Sequence, residues 1–123
     1  MGHVFVEVTI RAKRKMKARF LVDTGATCSL ISPNLAKQLG MEPSPLREKV
    51  HLANGKTVRV PTALGQIRID GRETVTVFWI RSCDEPLLGV EALKALGLAV
   101  DPRTGTLKPT RPYATRLGGF GTR

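Results

Sequence analysis

The chain has 123 residues, 41% of them hydrophobic, and 20 lysines and arginines against 10 acidic residues give it a formal charge of +10. That length suits one domain burying roughly two-thirds of its unfolded surface, and the apolar content excludes a disordered chain. Cys28 and Cys83 form no CxxC pair, and His3 and His51 stand alone, so neither a disulfide framework nor a metal or other cofactor is expected.

His3 to Ile10 alternate apolar and polar as a half-buried strand does, and Arg11 to Lys17 then form a polar turn. This early segment has no apolar h-region, and no run in the chain nears the ~20 apolar residues that span a bilayer, so a soluble, cytoplasmic protein without a membrane partner is expected. A second strand runs from Ala18 to Thr24. Ser32, Pro33 and Gly40 frame a short helix as N-cap, first helical residue and stop. Next comes a hairpin from Val50 to Val60 that turns at Asn54-Gly55, since both residues tolerate positive φ. GQIRID and ETVTVFWI make another hairpin around Gly71-Arg72. A second helix near Val90 to Gly97 precedes a closing hairpin, LAVD and TLKP. After Pro109 the periodicity is lost, and residues 110–123 are expected to form a flexible tail. The fold class is all-β with two short helices.

Asp23 stands out. Asp70, Asp84 and Asp101 lie in turn-forming contexts, where a short polar side chain helps the backbone bend. Asp23 instead follows apolar Phe20, Leu21 and Val22, and a carboxylate taken from water without a partner is costly or becomes neutral. Gly25 and Ala26, small residues just beyond it, let other backbone or a ligand approach.

The stretch Phe20-Leu21-Val22-Asp23-Thr24-Gly25-Ala26-Thr27 resembles the catalytic signature of retropepsin-like aspartic proteases. Pro86-Leu87-Leu88-Gly89, just before the second helix, resembles that family's hydrophobic-hydrophobic-Gly element. The likeness spans Val4 to about Lys108. It implies a closed β-barrel-type acid protease domain over residues 1–109, with a flap hairpin. It also implies Asp23 as the catalytic residue, Thr24, Gly25 and Ala26 as its supporting loop, and Leu87, Leu88 and Gly89 as a second loop. Leu52, Ala53, Asn54 and Gly55 take the flap and substrate positions. With a single Asp-Thr-Gly per chain, the resemblance implies a homodimer whose two Asp23 carboxyls activate a water against a peptide or protein substrate. Viral members carry an acidic residue where this chain has Thr27 and an arginine where it has Val90, so the resemblance is to the cellular or prokaryotic type.

Two other readings compete. The basic segment 11–19, RAKRKMKAR, could contact nucleic acid, but only six aromatic residues in the chain leave little for base stacking, and a solvated turn is favoured. Alternatively, the domain is an inactive dimeric module that binds peptides.

Overall fold

The computed structural model describes residues 3–45 and 47–112. Nine strands and two helices follow in the order β1 (Phe5–Arg11), β2 (Lys15–Val22), β3 (Ser29–Ile31), α1 (Pro33–Leu39), β4 (Arg47–His51), β5 (Thr57–Ile69), β6 (Arg72–Ile80), β7 (Leu87–Leu88), α2 (Val90–Leu96), β8 (Leu98–Asp101) and β9 (Thr106–Pro109). The all-β class with two short helices holds. No helix among the described residues is long and apolar enough to cross a membrane.

Seven strands hydrogen-bond in the order β1-β2-β7-β3-β6-β5-β4, and β1 also pairs with β5 through Ile10 and Ile67. Six of the strands therefore form a ring, and β4 lies outside it. Alternation sends Val8 and Ile10 of β1, Phe20 of β2, Ile67 of β5 and Phe78 of β6 inward, where each is fully buried. The Phe20 and Phe78 rings meet at 6.4 Å with a tilt of 59°, and Leu39 and Leu96 bring both helices onto the same core. β8 and β9 form a separate antiparallel pair.

Local chemistry fixes the helix ends as expected. Ser32 accepts from the Leu35 N–H at 3.1 Å, Pro33 opens α1, and Gly40 closes it at φ 71°. Arginines finish both C-termini: Arg14 Nη2 donates to the Lys37 carbonyl at 2.9 Å, and Arg111 Nη2 donates to the Ala95 carbonyl at 2.8 Å. Thr110 N–H also donates to the Gly97 carbonyl at 2.8 Å, so residues 110 and 111 are tied to α2. The rest of the expected tail, 113–123, lies outside the described residues.

Three expectations need correction. The basic segment is not all turn: β1 runs to Arg11 and β2 starts at Lys15, leaving Ala12–Arg14 as the connection. Lys15, Lys17 and Arg19 face solvent while Met16, Ala18 and Phe20 face inward, so the lysine run is itself an alternating strand. The flap strand and the GQIRID strand are one 13-residue strand, β5. Pro61 is tolerated within it because it sits where β5 changes partner from β4 to β6. Finally, the β5–β6 turn is centred on Asp70-Gly71 rather than Gly71-Arg72. Asp70 and Gly71 have φ of 50° and 79°, as a two-residue hairpin turn requires.

Candidate active site

Asp23 is the first residue beyond β2, and β7 holds it there. The two-residue β7 lies between β2 and β3, with Leu21 and Val22 parallel to Leu87 and Leu88, and with Leu30 of β3 antiparallel to Leu87. Asp23 N–H continues the ladder by donating to the Leu88 carbonyl at 2.9 Å. The chain then turns sharply, as Ala26 N–H donates to the Asp23 carbonyl at 3.1 Å and Gly25 N–H donates to Asp23 Oδ1 at 2.9 Å. Two further bonds run from α2 back to this loop: Val90 N–H to the Ala26 carbonyl at 2.8 Å and Glu91 N–H to the Thr27 carbonyl at 3.0 Å. The Asp23–Ala26 and Leu87–Gly89 segments thus form one framework, although more than 60 residues separate them.

The framework has little spare room beneath the carboxylate. Gly89 is buried, and a Cβ built on it would stand 2.6 Å from both the carbonyl carbon and oxygen of Cys28. Ser29 is fully buried in apolar surroundings, and its hydroxyl accepts from the Gly89 N–H at 3.0 Å. Sequence reasoning passed over Ser29; the available signal was a small hydroxyl interrupting the run Cys28-Ser29-Leu30-Ile31, where a buried polar group needs a partner.

The upper side is open. Asp23 is half-buried, and Thr24 and Gly25 are exposed. Among the described residues the Asp23 carboxylate accepts one hydrogen bond, from the Gly25 backbone N–H, and the Thr24 hydroxyl makes none. A Cβ on Gly25 would lie 3.3 Å from Asp23 Oδ1, so a side chain there would press on the carboxylate.

The hairpin of β4 and β5 stands apart from this framework. Its tip is closed on itself: Leu52 N–H donates to the Lys56 carbonyl at 2.8 Å, Lys56 N–H to Asn54 Oδ1 at 3.0 Å, and Gly55 takes φ 85°. Leu52 is half-buried, and Ala53, Asn54 and Gly55 are exposed. Among the described residues no hydrogen bond joins this tip to the Asp23 loop. The body of the hairpin is closer, since Glu48 of β4 acts electrostatically on Cys28. Burial first, then the carboxylates of Glu48 and Glu91, push the Cys28 thiol above its ordinary pKa.

Residues 6–92 match a family model described as aspartyl protease. The fold is similar to that of EIAV protease complexed with the inhibitor HBY-793, at a TM-score of 0.65 and 20% identity, covering 78% of this chain and 89% of that one. It is also similar to a retropepsin-like aspartic protease from Rickettsia conorii, at a TM-score of 0.59 and 23% identity, covering 82% of this chain and 77% of that one. No curated protein matches the sequence.

Proposed function

The chain belongs to the aspartyl protease family, whose members are aspartic-type endopeptidases, and on that premise we propose that it cuts peptide bonds as a homodimer with Asp23 as its catalytic residue. The observation that carries this reading is the state of the Asp23 loop. One chain supplies a single Asp-Thr-Gly, hydrogen-bonded from below and left open above, with a carboxylate engaged among the described residues only by Gly25. A two-fold axis through that open side brings a second Asp23 against the first.

Two carboxyls in contact cannot both ionise cheaply, so the pair shares one proton. The ionised member takes a proton from a bridging water, whose oxygen then bonds to the peptide carbonyl carbon. The protonated member donates to the carbonyl oxygen, giving a neutral tetrahedral intermediate. Proton return to the amide nitrogen lets the C–N bond break, releasing an amine and a carboxyl product and restoring the singly protonated pair. Thr24, exposed and with a hydroxyl that makes no bond among the described residues, is suited to bond across the axis. Gly25 and Ala26 give the substrate backbone close approach, and Leu87, Leu88 and Gly89 brace the loop. The hairpin tip Leu52–Gly55 acts as a flap, under which a peptide lies extended and bonds strand to strand. Residues 1–109 form the catalytic unit. Cys28 and Cys83, both free thiols, suit a reducing cytoplasm.

The test is a mass-spectrometric digest of a diverse peptide mixture by wild type and Asp23→Asn, across a range from roughly pH 4 to pH 7. Sedimentation of the same samples gives the oligomeric state. Cuts made by a dimeric wild type and lost in Asp23→Asn support the reading. A dimer that binds peptides but makes no Asp23-dependent cut is instead a peptide-binding module, and a monomer at assay concentration removes the shared dyad.

A further inference from the structure

The far end of β2 carries a feature that peptide hydrolysis at Asp23 does not use. Where β1 pairs with β2 on one side and β5 on the other, register sets the outward side chains in two rows. Lys15, Arg11, Gln66 and Val75 make one row, and Lys17, Thr9, Arg68 and Glu73 make the next. Between them lies a groove of about 390 Å³. Four cations line it, Arg11, Lys15, Lys17 and Arg68, against the single carboxylate of Glu73. The Glu73 carboxylate accepts from Gln66 Nε2 at 2.8 Å, and Lys17 lies 4.0 Å from Glu7. Arg11, Lys15 and Arg68 form no ion pair among the described residues, and all three are exposed.

We propose that this groove is an exosite that binds acidic segments of protein substrates, a proposal that rests on the protease reading. Lys15 and Lys17 stand two residues apart on one strand, an interval of roughly 6.6 Å, and alternate carboxylates of an extended peptide repeat at the same interval. A polyanion bound there meets several cations at once, which one surface ion pair cannot offer. The groove suits carboxylates better than a single-stranded nucleic acid because no aromatic ring lines it. The Phe5 ring lies at the other end of β1, opposite Leu21, and is covered by the Arg19 guanidinium, 3.8 Å from its centroid. Lys17 and Lys15 precede Asp23 by six and eight residues, placing the groove at most about 20 to 26 Å from the carboxylate along β2. An extended substrate spans that with about eight residues. The preferred substrate therefore carries its acidic run up to about eight residues from the cut bond.

Fluorescence anisotropy tests this with a labelled ten-residue oligoglutamate and a labelled ten-nucleotide oligothymidine, at about 20 mM salt so that screening is weak. The groove variant is Arg11→Gln, Lys15→Gln, Lys17→Gln and Arg68→Gln. A control of equal net charge is Lys37→Gln, Lys94→Gln, Arg103→Gln and Lys108→Gln. Lys15→Glu with Lys17→Glu, at two exposed positions, serves if the groove variant misfolds. Oligoglutamate should bind wild type and Asp23→Asn alike, at least tenfold more weakly to the groove variant, and within about twofold of wild type to the control. Equal weakening in both charge variants, or no binding, overturns the proposal. So does tighter binding of oligothymidine through the same four residues, which would make the groove a phosphate-backbone site. Because binding is read directly, and in Asp23→Asn as well, loss of the exosite is distinguishable from loss of the protease reading. A second readout is the ratio of kcat/KM for a peptide bearing an acidic run to that for the same peptide without one; it should fall toward one in the groove variant.

Discussion

The two loops that make up the candidate active site differ in what fixes them. Leu88 and Gly89 are buried and hydrogen-bonded to Asp23 and Ser29, and Gly89 leaves no room for a Cβ. Thr24 and Gly25, the next residues after Asp23, are exposed, and Gly25 N–H bonds only back to the Asp23 carboxylate among the described residues. The lower loop is determined by packing within one chain, whereas the upper loop is shaped within the chain and left open, the side on which the proposed homodimer would complete it. Substitutions in the upper loop should therefore change activity without much change in stability, and those in the lower loop should do the reverse first.

Asp23→Asn is the largest test of that division. Peptide hydrolysis should fall roughly 10²–10⁴-fold, as loss of a positioned acid–base group does, while the melting temperature stays close to wild type. A large drop in melting temperature would mean that Asp23 is structural and that the two loops do not differ in kind. Gly89→Ala comes next. Its methyl group would enter space held by Cys28 backbone atoms 2.6 Å away, which cannot rotate aside, so a loss of about 3 kcal/mol in denaturant unfolding is expected. Ser29→Ala should cost about 2 kcal/mol by leaving the Gly89 N–H buried without an acceptor, and Ser29→Thr should not restore it, because the site is fully enclosed.

The smallest effect sharpens the comparison at the seam between the loops. The Cys28 thiol is held above its ordinary pKa, so at any given pH less of it is thiolate than of an unperturbed cysteine. In a Cys83→Ser background, alkylation at pH 8.5 should be slower than for a free cysteine. Glu91→Gln removes one of the carboxylates that raise the thiol, which lowers its pKa and should speed alkylation by about twofold. No change in rate would place Glu91 too far from the seam to matter.

Much of this organisation was legible in the sequence, wherever the determinant is local. Ser32, Pro33 and Gly40 bound α1, and Gly97 ends α2, because capping is decided within a few residues. Asn54-Gly55 marks its hairpin for the same reason. Asp23 was conspicuous because a carboxylate beside Phe20, Leu21 and Val22 conflicts with its immediate neighbours. Other features depend on distant partners and were hidden. The strand at Lys15–Val22 is obscured by charge until alternation is weighed above polarity. The continuity of β5 beyond Pro61 depends on its change of partner from β4 to β6. β7, only two residues long, is a strand because β2 and β3 flank it, and Ser29 has a role only once Gly89 arrives above it.

The threading of β7 between β2 and β3 also bears on how the protein acquires its structure. The contacts that fix Asp23 join residues 21–23 to 86–88, and the ring closes through residues 9–11 and 66–68. Such a high contact order predicts slow folding, since loop-closure entropy is lost long before these pairings repay it. On the ribosome, the β1–β2 hairpin can form early, but the Asp23 loop has nothing to lock onto until residue 88 has emerged. A nascent chain would thus leave the Asp23 loop unformed until that later segment arrives to hold it.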